Sequence, residues 1–295
     1  MADVALCDPF ELYNLLNQRR RASRLAEINY LYLVDAREIR DYRISHVVTA
    51  ENIKTDADGA FLPPVAVEVD SMQHVVVYDS DTTRLQEQGR AVGCALMLAE
   101  ASRHPVRVVR GGFRRFSALY PFLRTVKILY TVTELEELKT YPVEVLAGLV
   151  YMGDQKQGRD VGILRDLRIS AVVSVSETDA LEPPRRSQAV LNVPVADSLA
   201  SDLYSWFDRI CAFIDSQIST GSRVLIVSRQ GRSRCGAATV AFLMHHLKYP
   251  LQEAWSQTLR CKPSMRPNTK FLQQLSEWEL HTTGAKVTDI SECPF

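Results

Sequence analysis

The sequence predicts a protein of two α/β domains. In both halves of the chain, short apolar runs rich in β-branched residues alternate with segments of helical periodicity. That alternation is typical of strand–helix units around a mostly parallel sheet. The length of 295 residues suggests about two domains, and a hydrophobic content of 46% with 24% charged residues is ordinary for a globular protein.

The first half of the chain contains three segments that read as buried strands. The β-branched and aromatic runs at 30–34, 75–78 and 106–109 supply them. The residues at 35–38 begin a turn and a helix, and apolar residues recur at helical spacing over 89–100. We therefore predict a first α/β domain over residues 9–125.

The second half repeats the pattern after a charged, helix-prone segment. We interpret residues 126–140 as a linker helix, 141–283 as the second domain and 284–295 as a mobile tail. The predicted strands lie within 143–151 and at 171–175, 191–195 and 224–227, and a loop lies at 182–186. The predicted helices lie at 160–167, 205–218, 234–246, 251–260 and 268–280, and the nearly all-apolar helix at 234–246 should be buried.

Composition excludes several classes of protein. A net charge of +0 argues against a nucleic-acid surface, and no apolar run approaches the ~20 residues of a membrane span. The cysteines lack paired spacing, which favours reduced thiols, no metal site and an intracellular, cytoplasmic protein. We expect no cofactor. Arginines at 19, 20, 21 and 24 leave the mitochondrion as the alternative compartment, although Asp3, Asp8 and Glu11 argue against a transit peptide.

The segment at 224–234 carries the strongest functional signal. An apolar strand is followed by a turn containing Gly231, and Arg234 then opens an apolar helix. This order places backbone N–H groups and a helix N-terminus around one anion, and an arginine can grip a phosphate with two hydrogen bonds. The predicted phosphate-binding residues are Ser228, Arg229, Gln230, Gly231, Arg232, Ser233 and Arg234.

The second half resembles the dual-specificity phosphatases. The motifs at 148–153, at 195–198 with the aromatic pair at 206–207, and at 266–268 occur in the family's order. The resemblance implies that 228–234 is the signature loop and that Asp197 matches the general acid that protonates the leaving oxygen. Val227 stands where the family has His, and Ser228 stands where it has the nucleophilic Cys.

These departures predict a catalytically inactive domain. A thiolate attacks phosphorus near neutral pH, whereas a serine hydroxyl needs a general base, and no His or carboxylate adjoins Ser228 in sequence. Cys235 follows Arg234 where the family usually has Ser or Thr. The hydroxyl of that Ser or Thr aids breakdown of the reaction intermediate, so its absence should also slow this step. Residual activity through Ser228, or through Cys235 at the start of the helix, stays open as an alternative.

The first half resembles a rhodanese-like domain. The motif at 33–37, the segments at 46–47 and 50–53, and the Gly-Gly-Phe at 111–113 carry the resemblance. A catalytic rhodanese has its Cys just after the strand at 75–78, and this chain has Asp79 there. An acidic loop should repel sulfur anions and cannot carry a persulfide, and we expect His46 to be structural.

The order of the two domains resembles the MAP kinase phosphatases, and Ser228 narrows the resemblance to pseudophosphatases of that family. The resemblance implies a regulator of phosphorylation signalling that binds proteins, among which phosphoproteins or MAP kinases are the expected partners. A basic docking motif would fall on Arg37, Arg40 and Arg43, with a solvated helix face as the alternative. A third hypothesis is a scaffold with no ligand in either pocket.

Overall fold

A computed structural model of the chain describes residues 3–129, 131–178, 180–182 and 188–291. The chain divides into two compact units, Met1–Thr140 and Tyr141–Phe295, which are named here the first and second domains. Most of the loop predicted at 182–186, and the last four residues of the predicted tail, lie outside the described residues.

The first domain contains a parallel sheet and a small antiparallel strand pair. Its strands are β1 (Val4–Cys7), β2 (Leu31–Asp35), β3 (His46–Val47), β4 (Glu51–Asn52), β5 (His74–Tyr78), β6 (Val106–Val109) and β7 (Arg124–Thr125). Five of them form the parallel sheet in the order β1-β6-β5-β2-β4, and β3 pairs with β7. The central strands β2, β5 and β6 are almost entirely buried, and β5 and β6 are rich in valine, as the sequence pattern predicts.

Helices cover this sheet. They are α1 (Pro9–Leu16), α2 (Ile39–Ile44), α3 (Arg90–Ala99), α4 (Gly112–Leu119) and α5 (Val132–Glu136), with 3₁₀ turns at Arg24–Ala26, Val69–Ser71 and Pro121–Leu123. Among the described residues of the predicted linker helix at 126–140, only the five residues of α5 are helical. The Thr131 hydroxyl accepts the N–H of Glu134 and so starts that helix late in the segment.

The edge strand β1 lies before the predicted start of the first domain at residue 9. It pairs with β6 from Val4 opposite Val106 to Cys7 opposite Val109. A strand of four residues is too short to show the apolar–polar alternation that identifies strands in a sequence. The sequence pattern therefore does not predict β1.

The second domain is also α/β. Its strands are β8 (Val143–Leu146), β9 (Val150–Asp154), β10 (Ile169–Val175), β11 (Ala189–Val193) and β12 (Arg223–Ser228), in the order β11-β10-β12-β9-β8 with only β8 antiparallel. Its helices are α6 (Gln155–Arg159), α7 (Val161–Asp166), α8 (Tyr204–Ser219), α9 (Arg234–Leu247), α10 (Leu251–Cys261) and α11 (Thr269–Thr283). None of the helices in the described ranges has the length and hydrophobicity needed to cross a bilayer.

The core of the second domain lies around α9. This helix follows the central strand β12, and every residue from 234 to 244 is buried. Helices α8, α10 and α11 each pack against it. A helix enclosed in this way must be apolar around its whole circumference. The predicted burial of the segment at 234–246 is confirmed for residues 234–244, whereas His245 is only partly buried and His246 is exposed.

A buried carboxylate on α11 fixes the segment that follows that helix. Glu279 is fully buried. One of its oxygens accepts the backbone N–H of Leu251 at 2.9 Å and the hydroxyl of Thr288 at 2.7 Å. The other accepts the N–H groups of Val287 and Thr288, each at 3.1 Å. Residues 287–288, which the sequence assigns to a mobile tail, are therefore attached to the domain.

Candidate functional site

A tight turn joins β12 to α9 and forms the predicted anion loop at residues 228–234. The N–H of Gly231 donates to the carbonyl oxygen of Ser228 at 3.1 Å. Gly231 has a φ of +65°, and a Cβ on it would lie 2.8 Å from the carbonyl oxygen of Gly153. Only glycine fits here, because the turn needs both a left-handed backbone and a close approach to the end of β9.

The last part of this loop presents unpaired donors at the start of α9. Among the described residues, we find no acceptor for the backbone N–H groups of Arg232, Ser233 and Arg234. Helix α9 has 14 residues, so its N-terminus also contributes a positive dipole end. N–H groups at a helix N-terminus suit a bound anion.

The guanidinium of Arg234 is buried and only partly paired. Its Nη1 donates to the carbonyl oxygen of Val195 at 3.0 Å. Its Nε is buried without a hydrogen-bond partner among the described residues, and the Oδ2 atom of Asp197 lies 3.9 Å from it. A buried donor without an acceptor is costly, and an oxyanion in the loop would relieve that cost.

Asp197 lies beside the loop and is held in place by two donors. Its Oδ1 accepts the hydroxyl of Ser233 at 2.7 Å and the side-chain amide of Asn268 at 3.0 Å. The side-chain oxygen of Asn268 in turn accepts the N–H of Phe271 and caps α11. The structure therefore joins the loop, the predicted acid and the last helix in one network.

Ser228 is buried at the end of β12, and its hydroxyl lies close enough to the thiol of Cys235 to influence it. Burial raises the pKa of the Cys235 thiol, although the Ser228 hydroxyl and nearby cations oppose the shift. No His, Asp or Glu side chain in the described ranges hydrogen-bonds to Ser228. Neither side chain therefore has the environment of an activated nucleophile.

Val227 fills an apolar space beneath the loop. A Cβ built on Gly158 would lie 3.2 and 3.3 Å from the two methyl groups of Val227 and 3.3 Å from a methyl group of Leu181. Ser174 is the partner of Val227 on the adjacent strand β10, and its buried hydroxyl has no partner among the described residues. Partner residues of paired parallel strands share a face, so this hydroxyl lies on the same side as residue 227.

The corresponding loop of the first domain contains a buried carboxylate. The Oδ1 of Asp79 accepts the N–H groups of Asp81 and Thr82, at 3.2 and 2.9 Å. Its Oδ2 accepts the hydroxyl of Thr82 at 2.7 Å and the N–H of Ala91 in the first turn of α3 at 2.9 Å. The side chain of Asp79 therefore already occupies the donors that a bound anion would use.

The surface next to this loop is acidic. A cavity of about 460 Å³ is lined by Glu38, Asp41, Asp81 and Glu87, with Arg90 among its basic residues. Arg90 pairs with Glu38 at 2.9 Å, which removes much of its attraction for other anions. The cavity is thus unsuited to a sulfur anion, for the electrostatic reason that the sequence suggested.

Of the three predicted docking arginines, Arg37 is buried and Arg40 and Arg43 are exposed, so the assignment of Arg37 to a docking surface was wrong. Arg37 is buried, binds the Asp35 carboxylate with its Nε and Nη2, and donates to the carbonyl of Ser45. It also lies 3.8 Å from the ring centroid of Phe113. Arg37 therefore stabilises the interior of the domain and cannot present its charge to a partner, whereas Arg40 and Arg43 are exposed on α2.

Comparisons with known proteins match these two domains. A model described as the dual specificity phosphatase catalytic domain matches residues 150–281, and a model of the rhodanese-like domain matches residues 12–119. The chain carries a rhodanese-like domain followed by a dual-specificity phosphatase domain. The predicted fold class is confirmed.

The individual proteins to which the chain is similar are phosphatases or phosphatase-like proteins. The chain is 26% identical over 269 residues to dual specificity protein phosphatase 16 of Homo sapiens, covering 84% of this chain and 40% of that protein. It is 31% identical over 140 residues to the phosphatase Mpk3 of Drosophila melanogaster, covering 47% and 34%. The crystal structure of human tyrosine phosphatase-like serine/threonine/tyrosine-interacting protein is 21% identical with a TM-score of 0.42, covering 47% of this chain and 95% of that structure. The chain spans about two fifths of the length of the first curated relatives.

The sequence alone did not predict the roles of two residues near the 228–234 loop. The roles of Asn268 and Ser174 depend on contacts with residues far away in the chain. A partial signal existed for Asn268, because an Asn after a Pro and before an apolar-periodic segment is typical of a helix N-cap. No group of three or more His, Cys, Asp or Glu side chains in the described ranges could hold a metal ion.

Proposed function

We propose that the protein is a catalytically inactive phosphatase homologue that binds proteins and regulates phosphorylation signalling, with the 228–234 loop as an oxyanion site. The observation that carries the proposal is the buried Nε of Arg234 next to the N–H groups at the start of α9, none of which has an acceptor within the described parts of the chain. A donor in that state indicates a missing acceptor. The phosphatase-domain match supports a phosphorylated side chain as the ligand.

The proposed loss of catalysis follows from the groups around Ser228. Its hydroxyl remains protonated at neutral pH unless a base removes the proton, and its side-chain contact is the thiol of Cys235. The two His residues nearest in sequence, His245 and His246, both contact Asp215 instead. They lie about 11 residues along α9, which at about 1.5 Å per residue is roughly 17 Å from Arg234, the first residue of that helix.

Two alternatives have weaker support. Residual chemistry at Cys235 would need an accessible thiolate, and that thiol is fully buried with a raised pKa. A scaffold with no ligand in either pocket agrees with the self-occupied loop at Asp79, but it leaves the unpaired Nε of Arg234 unexplained. We propose an intracellular, cytoplasmic location on the basis of the reduced cysteines and the phosphatase relatives.

We expect sulfate to stabilise the protein through Arg234. At a sulfate concentration of about 100 times its Kd, binding adds about 2.7 kcal/mol, which corresponds to a rise of roughly 5–10 °C in the Tm of a domain of this size. In Arg234→Ala the rise should disappear relative to that variant's own sulfate-free Tm. Differential scanning fluorimetry in chloride and sulfate buffers of equal ionic strength measures both.

The control for this prediction is Arg209→Ala, which removes an exposed arginine of the same domain that lies over the ring of Trp206. It should keep the full sulfate effect. An equal rise in all three proteins would place the anion at another site and remove the main support for the proposed loop function.

If the first domain docks a MAP kinase, the charge must come from Arg40 and Arg43. Arg40 is 87% exposed and its carboxylate neighbour is Asp41 at 3.6 Å, a contact that solvent screens strongly. We expect Arg40→Ala with Arg43→Ala to weaken kinase binding by roughly tenfold and to remove most of its salt dependence. Surface plasmon resonance at two salt concentrations measures this.

Arg84→Ala with Arg114→Ala is the matched control, because it removes two other exposed arginines from the same domain. It should leave kinase binding unchanged. Tight binding that ignores both the change at 40 and 43 and the salt concentration would rule out this docking surface.

A further inference from the structure

Four arginines surround one serine in the connection between α1 and β2. They are Arg19, Arg20 and Arg21 before Ser23, and Arg24 directly after it. We propose that Ser23 is a phosphorylation site for a protein kinase with an acidic substrate groove, and that the neighbouring arginines hold the phosphate once it is attached. The site lies in the first domain and does not depend on the proposed oxyanion loop.

The spacing and exposure of two of these arginines suit such a kinase. Arg20 and Arg21 lie three and two residues before Ser23, and both are exposed. The carboxylate of Glu27 lies 4.0 Å from Arg20, whose side chain is 73% exposed, so solvent screens this contact. Two accessible guanidinium groups before a hydroxyl complement a groove lined with carboxylates, because kinases select their substrates by patterns of charge.

The pattern Arg-Arg-x-Ser occurs twice in the sequence, at 20–23 and at 114–117, and the structure distinguishes the two copies. Ser117 lies inside α4, where its hydroxyl donates to the carbonyl oxygen of Arg114 at 3.3 Å. The adjacent Phe116 is 1% exposed, so unwinding α4 would expose apolar surface. In-line attack requires the hydroxyl to reach the γ-phosphate inside the kinase active site, which a serine in a packed helix cannot do.

The copy at Ser23 lies in irregular backbone that opens easily. Ser23 has a φ of −59° and a ψ of 134°, and its hydroxyl accepts the N–H of Leu25 at 3.3 Å. Ser23 is 5% exposed, but it is the only buried residue among 19–26, all of which the structure describes. Opening this loop exposes little apolar surface, so a local fluctuation makes the hydroxyl accessible without unfolding the domain.

The modification is a phosphoryl transfer from ATP. The Oγ atom of Ser23 attacks the γ-phosphorus in line, and the new bond forms as the bond from that phosphorus to the β,γ-bridging oxygen breaks. ADP leaves with the electron pair of the broken bond, and the hydroxyl proton passes to the catalytic aspartate of the kinase. The kinase supplies the base, so Ser23 needs none of its own.

The surroundings of Ser23 offer positive charge to the attached phosphate. Arg24 binds Glu27 through its Nε and Nη2, at 3.0 and 2.9 Å. Arg107, another cation of this region, donates to the imidazole of His74 at 3.0 Å. Burial, with Arg107 and Arg24, lowers the pKa of His74 to about 4, so this partner is neutral. A phosphoserine carries close to two negative charges at neutral pH and forms charge-assisted hydrogen bonds with guanidinium groups.

The first test is phosphorylation of the full chain with ATP labelled in its γ-phosphate. The probe is the catalytic subunit of the cAMP-dependent protein kinase, which selects arginines at these two positions. We expect label on Ser23 when the native protein is mapped by mass spectrometry. Ser23→Ala should lose the label, and Ser117→Ala, the matched control, should keep it. Label on Ser117 in place of Ser23, or no label on Ser23, would overturn the site.

A pair of double variants tests the role of the arginines. Arg20→Ala with Arg21→Ala should lower the initial rate of labelling at least about tenfold, because the groove loses both of its charged contacts. Arg114→Ala with Arg115→Ala removes the same two groups from the helical copy and should leave the rate unchanged. Equal rates for the two double variants would overturn recruitment of the kinase by charge.

Hydrogen exchange tests whether the phosphate is held. After phosphorylation, the N–H of Leu25 should exchange about tenfold more slowly, because a phosphate oxygen fixed by arginines is a stronger acceptor than the hydroxyl. The N–H groups of α3 are the control and should exchange as before. Unchanged or faster exchange at Leu25 would mean that the arginines do not hold the phosphate, which would overturn that part of the proposal.

Discussion

A protein with both Val227→His and Ser228→Cys is expected to hydrolyse an aryl phosphate at least ~100-fold faster than native protein, which should show no turnover above background. The remaining parts of a phosphatase site are present: the loop donors, Arg234, and Asp197 beside them. Groups positioned for proton transfer typically contribute ~10²–10⁴-fold. The thiolate supplies the nucleophile that a neutral hydroxyl cannot.

The space around residue 227 decides whether the imidazole fits. Gly158 has no side chain at this point, and the unpaired hydroxyl of Ser174 shares the face of the sheet with residue 227. A ring nitrogen at 227 could give that hydroxyl a partner. Ser228→Cys alone should be less active, because the ring that positions the loop would be absent.

The measurement is release of 4-nitrophenol from its phosphate ester by each purified variant. Adding Asp197→Ala to the double variant should lower kcat by ~10²-fold, the usual scale for a general acid. A folded double variant with no activity would show that more than the nucleophile has been lost. Turnover by native protein that survives Ser228→Ala would contradict the assignment of an inactive enzyme.

Glu279→Gln is expected to destabilise the second domain by roughly 3 kcal/mol, which lowers Tm by roughly 10 °C. An amide has one acceptor oxygen where the carboxylate has two. Its NH₂ group must therefore face either Leu251 or the pair Val287 and Thr288, and at least one buried backbone N–H loses its acceptor.

Tryptophan fluorescence during thermal unfolding measures this change in the second domain alone, since all three tryptophans, Trp206, Trp255 and Trp278, belong to it. Glu277→Gln is the control. It removes a charge from the exposed face of the same helix, where the carboxylate pairs with Lys286, and should lower Tm by only about 1–2 °C. Equal effects of the two changes would mean that the buried carboxylate has no special role.

The elements around the loop were predictable because their patterns are strong and local. The helix expected at 234–246 is α9, Arg234–Leu247, since an uninterrupted apolar helix follows a β-branched strand there. The turn at Gly231 was predictable for a similar reason, because glycine serves where the backbone is left-handed.

The failures share one physical cause, which is pairing that a local pattern cannot show. Arg37, Arg40 and Arg43 recur at helical spacing, yet Arg37 precedes the helix and binds Asp35, two residues earlier. Glu279 looks like one more charge on an amphipathic helix until residues 287–288 fold back onto it. The contact between Asp197 and Asn268 spans 71 residues.

The Asp79 loop of the first domain and the 228–234 loop of the second domain would differ in how their occupancy by an anion depends on the concentration of free ligand. In the first domain the anion is the side chain of Asp79, which is covalently part of the loop that it fills. Dilution cannot remove it, so that loop stays filled at any level of phosphorylation in the cell. Occupancy of the proposed oxyanion site at Arg234 would instead follow mass action, rising and falling with free ligand. Under the proposed function, one chain thus pairs a permanently filled loop with a loop whose occupancy would depend on the ligand concentration.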